Sequence, residues 1–168
     1  MHELAERLGK LLKERHLTIA TAESCTAGGI AAAIASVNGA SAYLKGGVVC
    51  YATELKEKLL GVSVECIENF GVVSRETAIE MNRGVRKLTG ADVAISITGY
   101  AGETGGDQFA ENGTIWICVG VNGKEQNSEG ESYTEKMKVN ADRATNLQNA
   151  INKALQMTID VMIASSQL

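Results

Sequence analysis

Ser24, Cys25 and Thr26 set two hydroxyls and a thiol side by side in the stretch Thr21 to Ile30, TAESCTAGGI. Ser24 or Cys25 could attack an electrophilic carbon if a neighbouring base took its proton. Histidine, the commonest base, is scarce: the chain has only His2 and His16, which flank a predicted N-terminal helix. A Ser–His or Cys–His pair is therefore not expected at this corner. The base for Ser24 would have to be a lysine, a tyrosine or a carboxylate. Lysine can serve once burial or a nearby cation brings its pKa toward neutrality. Tyr51 and Lys56 are the candidates, because they follow a predicted strand end just as Ser24 does, and ligands collect at strand ends in open α/β sheets. Spacing alone leaves open the plain alternative of a solvated helix lysine at position 56. Cys25 is the rival nucleophile, but no evident cation accompanies it, and a buried structural thiol is the commoner case. Glu23 reads either as the partner of a helix N-terminus or as an acid supporting the site.

A second set of residues suits an anion. Thr98-Gly99 ends a predicted strand and opens a glycine-rich loop, Gly99 to Gly106. Such glycines can cradle a phosphate or nucleotide, and equally can form a mobile surface loop. Arg143 falls in the first turn of the last predicted helix, where the helix dipole disfavours a cation by about a few tenths of a kcal/mol. Its planar fork matches phosphate geometry. Together with the N–H groups around Thr26 to Gly28, these residues could surround one anion, with Arg143 supplied by the same subunit or by a neighbour.

The elements that must position these groups follow from periodicity and punctuation. Leu17 to Ala22 is a predicted strand that turns at Thr21–Ile30 into a helix reaching about Ser36. Gly28 and Gly29 there would each weaken a helix by roughly 1 kcal/mol relative to Ala, which fits close approach of a ligand or another backbone. Residues 3–15 form an amphipathic helix with Leu4, Leu8, Leu11 and Leu12 on one face. Gly47 to Tyr51 is predicted as a buried strand, Thr53 as the cap of a helix over Glu54–Leu60, and Ser63 to Phe70 as a short helix. Ser74 would cap a helix that turns Ala78, Met81, Val85 and Leu88 inward and stops at Gly90. Asp92 to Thr98, Gly113 to Val121 and Ser132 to Val139 are predicted strands, the last two joined by an Asn122-Gly123 hairpin turn. A helix from Ala141 to about Ala164 would bury Leu147, Ile151, Leu155 and Met162. The pattern implies an α/β sandwich around a mixed sheet.

Composition narrows the function. The 168 residues are expected to form a single domain over 1–168, with 45% apolar residues and a net charge of −4. No basic stripe argues for nucleic acid, and no apolar run approaches the ~18 residues of a membrane span. Four scattered cysteines without Cys-x-x-Cys spacing suggest buried thiols in a reducing cytoplasm and no zinc site.

On six segments the chain resembles the CinA C-terminal-domain family, which includes bacterial nicotinamide-mononucleotide deamidase. They are TAESCTAGG at 21–29, GGVVCYATELKEKLLGV at 46–62, GVVSRETA at 71–78, SITGYAG at 96–102, GTI at 113–115 and ADR at 141–143. The segments follow the family's order over nearly the whole chain. The resemblance implies a three-layer α/β/α sandwich around a mixed, mostly parallel five-stranded sheet, homodimers or larger oligomers, and a small nucleotide substrate with neither cofactor nor metal. It implies hydrolysis of nicotinamide mononucleotide to nicotinic acid mononucleotide and ammonia. The implied catalytic residues are Ser24 and Lys56 with Tyr51 nearby; Glu23, Cys25, Thr26, Gly28, Thr98, Gly99 and Arg143 would bind substrate. The family loop usually carries two prolines that are missing here, with Glu103 in place of the first. Thr53 stands where Asn is usual, Ala141 where Gly often is, and Tyr100 follows Thr98-Gly99 as in some paralogues without deamidase activity. The alternative is therefore a silent paralogue that binds a nucleotide-like ligand or acts as a regulatory module. Many members carry an N-terminal molybdopterin-binding-like domain, whereas this chain begins directly with the deamidase-like part and is expected to stand alone.

Overall fold

Ile19–Glu23 forms a strand, β1, in which all five residues are buried. A strand covered on both faces needs helices above and below it, and this dictates the layering. The computed structural model describes residues 1–122 and 130–165. Around β1 the chain adds α1 (His2–Glu14), α2 (Gly29–Ala35), a short 3-10 turn (Ala40–Ala42), β2 (Leu44–Val49), α3 (Thr53–Leu60) and α4 (Val64–Phe70). There follow α5 (Arg75–Thr89), β3 (Val93–Gly99), β4 (Thr114–Val121), β5 (Ser132–Lys138) and α6 (Arg143–Ala164).

The sheet order is β2-β1-β3-β4-β5. β1 pairs in parallel with β2 and β3, while β4 runs antiparallel to both β3 and β5. Four strands thus share one direction and β4 alone opposes them. The apolar stripes of α1, α2 and α6 cover one face: Leu8, Leu12, Ile30, Ile34, Leu155 and Met162 pack with Ile19, Ile97 and Ile117. On the other face Leu60, Met81 and Val85 pack with Ala20, Ala22 and Ala94, bringing α3 and α5 against the sheet. The layers are those of an α/β/α sandwich.

Capping explains where several helices begin. Ser74 accepts from the Thr77 N–H at the start of α5, and Asp142 accepts from the Thr145 N–H at the start of α6. Other positions differ from the sequence reading. The strand expected at 47–51 lies at Leu44–Val49 on the sheet edge and alternates in burial, so Val49 and Tyr51 are exposed. An edge strand has a neighbour on one side only, and a run of β-branched residues does not reveal that position. Ala52, not Thr53, is the N-cap of α3, without a side-chain bond. Leu88, expected inward, is exposed. The predicted Asn122-Gly123 turn reaches into residues outside those described, although the strands on either side of it pair as expected. All four cysteines are free and buried. Among the described residues no helix is long and apolar enough to cross a membrane.

Candidate active site

The corner after β1 is held by Glu23. Its side chain is fully buried, and its carboxylate lies at the N-terminus of α2. One oxygen accepts from the Thr26 hydroxyl at 2.7 Å and the Ile30 N–H at 2.9 Å, and the other from the Ala31 N–H at 2.8 Å. These bonds satisfy N–H groups that a helix start leaves without partners, in a place where negative charge is favoured. They also hold a tight turn in which Ala27 (φ 49°) and Gly28 (φ 94°) are both left-handed. For an alanine that conformation costs about 1–2 kcal/mol. Ser24 sits between this clamp and the sheet, its N–H donating to the Ile97 carbonyl at 3.0 Å. Its hydroxyl is thereby presented at the end of the strand.

Lys56 comes to the same point from α3. It is only 2% exposed, and its Nζ lies 3.0 Å from the Ser24 Oγ. The amine also donates to the Cys50 carbonyl at 2.8 Å and to the Tyr51 carbonyl at 3.4 Å. Burial lowers the Lys56 pKa from its ordinary value, because the charged form loses its hydration. Thiolates at Cys50 and Cys25 would oppose this, but burial raises both thiol pKa values, that of Cys25 to about 12. Near neutral pH these neighbours are neutral thiols. A neutral Lys56 amine can donate to the two carbonyls and direct its lone pair at the Ser24 hydroxyl, which is the arrangement of a nucleophile and its base. Cys25, the rival nucleophile, is held protonated by the same burial.

Ser24 and Lys56 form the inner end of a cleft of about 310 Å³, which Cys25, Tyr51, Thr98, Gly99 and Arg143 also line. The Thr98 hydroxyl donates to the Val72 carbonyl at 2.7 Å, fixing Val72 and Val73 as one wall. A Cβ on Gly99 would lie 2.6 Å from Ile115 Cγ1, so no side chain fits there. At the mouth, Arg143 Nη2 donates to the Tyr51 hydroxyl at 3.0 Å. Arg143 reaches this cleft from its own chain. Of the ten site residues named from sequence, Glu23, Thr26 and Gly28 do not line the cleft. They lie behind Ser24, where Glu23 and Thr26 are occupied with each other and with α2. The Tyr51 hydroxyl is turned toward Arg143, and it is the Tyr51 main-chain carbonyl that meets Lys56.

Sequence reasoning did not assign Thr53, Val72, Val73, Tyr100, Gly102 or Thr104 to the site, and all six line the cleft. Tyr100 donates to Asp107 at 2.9 Å, and burial, aided by that bond, raises its phenol pKa to about 12. The position of Tyr100 just after a strand end was the available signal; Val72 and Val73 carried only their place in the family-like segment at 71–78, because a tertiary hydrogen bond brings them in. A larger groove of about 670 Å³ lies between α3 and α5, lined by Leu59, Glu80, Lys87 and Leu88 among others. Its Ser63 hydroxyl donates to Glu80 at 3.1 Å, but Glu80 also accepts from the Ser63 N–H and the hydroxyl caps α4. That pair fastens a helix start, and the buried lysine beside a serine selects the smaller cleft. Among the described residues no group of three His, Cys, Asp or Glu side chains could hold a metal ion.

The family model described as the CinA C-terminal domain matches residues 1–162. The chain belongs to the CinA C-terminal domain family. A CinA-like protein of Flavobacterium psychrophilum is 45% identical over 150 residues, covering 89% of this chain and 34% of that protein. A putative competence-damage inducible protein of Halothermothrix orenii is 45% identical over 144 residues, covering 85% of this chain and 33% of its own length. The chain thus spans about a third of the length of these CinA relatives. A crystal structure of a CinA superfamily protein from Klebsiella pneumoniae superposes with a TM-score of 0.90 at 32% identity, covering 98% of both chains. One from Escherichia coli gives 0.87 at 31% identity, covering 96% of this chain and 89% of the other. The α/β fold is that of the CinA superfamily.

Proposed function

We propose that this CinA domain is an amidohydrolase that converts nicotinamide mononucleotide to nicotinic acid mononucleotide and ammonia. The observation that carries the reading is the buried Lys56 amine 3.0 Å from the Ser24 hydroxyl at the inner end of a cleft. Ser24 Oγ attacks the carboxamide carbon while Lys56 takes the hydroxyl proton, and the carbonyl electron pair becomes an oxyanion. Collapse of that intermediate breaks the C–N bond, and Lys56 returns the proton to the departing nitrogen, releasing ammonia and leaving an ester on Ser24. Water then attacks the ester with Lys56 again as base, and the proton returns to Ser24 as the acid leaves.

The N–H of Ser24 is bonded to Ile97 and cannot hold the oxyanion. The N–H groups of Cys25 and Thr26, which donate to no oxygen among the described residues, are the donors the reading assigns. Such a donor is worth about 3–4 kcal/mol in a well-studied protease. The test is ammonia release from nicotinamide mononucleotide by purified protein, with Ser24→Ala as control. Loss in the variant with an unchanged melting temperature supports the reading, and near wild-type release from the variant removes Ser24 as nucleophile.

The restrained mouth favours a second reading, a protein that holds a nucleotide-like ligand without turnover. Arg143 is tied to Tyr51 and Tyr100 to Asp107 before any ligand arrives. Tight binding of the mononucleotide with no ammonia released would establish that reading over the first.

A further inference from the structure

We propose that Tyr51 is a positioning residue whose hydroxyl aims the Arg143 guanidinium across the mouth of the cleft, forming an anion clasp for a phosphate monoester. The proposal rests on the cleft being a mononucleotide site. Arg143 has no carboxylate within 4.0 Å among the described residues, and its hydrogen-bond partner there is the Tyr51 phenol, which is neutral. The adjacent Asp142 does not neutralise it, because that carboxylate accepts from the N–H and the hydroxyl of Thr145. A guanidinium carries five N–H donors, so most of its donor capacity and all of its charge are open to a ligand. A phosphate monoester supplies the negative charge and the paired oxygens that such a fork prefers.

Loop and strand geometry give the clasp its direction. Gly102 lies beside Arg143, and a Cβ there would come 3.6 Å from Nη1, so the loop leaves the guanidinium room without a competing side chain. Tyr51 meanwhile faces both ways: its carbonyl is 3.4 Å from Lys56 Nζ, and its hydroxyl is 3.0 Å from Arg143 Nη2. The hydrolytic amine and the anion-binding cation are therefore spaced by the length of one tyrosine. A ligand with a reacting amide at one end and a phosphate at the other would present one group to each cation. The Tyr51 hydroxyl serves the far end of the substrate, and proton transfer at Ser24 does not pass through it.

Tyr51→Phe keeps the ring and the carbonyl and removes only the hydroxyl, at an exposed position. With nicotinamide mononucleotide we expect KM to rise about three- to tenfold, the loss of one ordinary hydrogen bond. The kcat and its pH profile should stay within about twofold, and KM for the phosphate-free riboside should not move. In an Arg143→Ala background, Tyr51→Phe should add nothing. A large fall in kcat at unchanged KM, or equal losses on mononucleotide and riboside, would overturn the proposal. Calorimetric binding of nicotinic acid mononucleotide separates this idea from the hydrolytic one. If the wild type binds it and both variants bind it more weakly, the clasp stands even if no ammonia is ever released. If the wild type binds no mononucleotide, or wild type and variants bind it equally, the clasp falls whatever the turnover.

Discussion

The cleft holds two cations, Lys56 at its inner end and Arg143 at its mouth, under opposite conditions. Lys56 is buried, and three oxygens surround its amine. Arg143 is exposed and, among the described residues, has one neutral partner. Burial disfavours the charged form of the lysine, and a lysine that gives up its proton is a base. The exposed guanidinium cannot give up its proton and remains a fixed positive charge. Under the proposed mechanism one cleft takes two kinds of cation and depth divides the work: proton transfer inside, charge recognition at the rim. The inner end is also the better fastened, through Glu23 and α2, as preorganised chemistry requires.

Of the two cations, the inner one should show the larger effect. Lys56→Met and Lys56→Arg should each lower kcat for ammonia release by about 10²–10⁴-fold, the usual contribution of a general base. An active Arg variant would show that charge, not proton transfer, is what position 56 supplies. At the mouth, Arg143→Ala should raise KM for nicotinamide mononucleotide roughly ten- to a hundredfold, the loss of a charge-assisted bond, and leave the riboside almost unaffected. Equal losses on both substrates would erase the division between the two ends.

Smaller effects concern the scaffold. Glu23→Gln keeps one acceptor oxygen but loses the charge at the start of α2, and should lower stability by about 1–3 kcal/mol in denaturant unfolding. The folded variant should keep its KM; a raised KM would return Glu23 to the substrate. Smallest is a pH effect. Because burial lowers the Lys56 pKa, the unfolded chain binds more protons between that lowered value and 10.5, so this group makes stability rise with pH across that window. Cys25 and Cys118 act in the opposite sense above pH 9, where unfolded thiols ionise while burial holds the folded ones up to about 12 and about 11. The unfolding midpoint of the wild type should therefore gain on that of Lys56→Met as pH rises toward 9, and a gap that widens the other way would contradict the buried charge.

Much of this was legible before any coordinates. The apolar run into small polar residues marks the strand-to-helix corner, and the shortage of histidine points to Lys56 through elementary acid–base chemistry. What could not be read is direction. A strand end tells which residues gather, but not that Tyr51 turns its carbonyl inward and its hydroxyl outward. Nor does it tell that Glu23, Thr26 and Gly28 lie on the helix side of the corner, because a tight turn divides neighbours between two surfaces. The edge position of β2 depends on strand order, and the Val72 wall on a bond from Thr98; both are tertiary facts.

The most direct measurement is ammonia release from nicotinamide mononucleotide by the wild type, Ser24→Ala and Cys25→Ala side by side. The Ser24–Lys56 mechanism predicts one ammonia per nicotinic acid mononucleotide formed by the wild type. Ser24→Ala should lose about 10⁴-fold or more, on the scale of nucleophile removal in serine hydrolases, while Cys25→Ala stays active. No ammonia from the wild type, or ammonia that disappears with Cys25 and persists without Ser24, would contradict it.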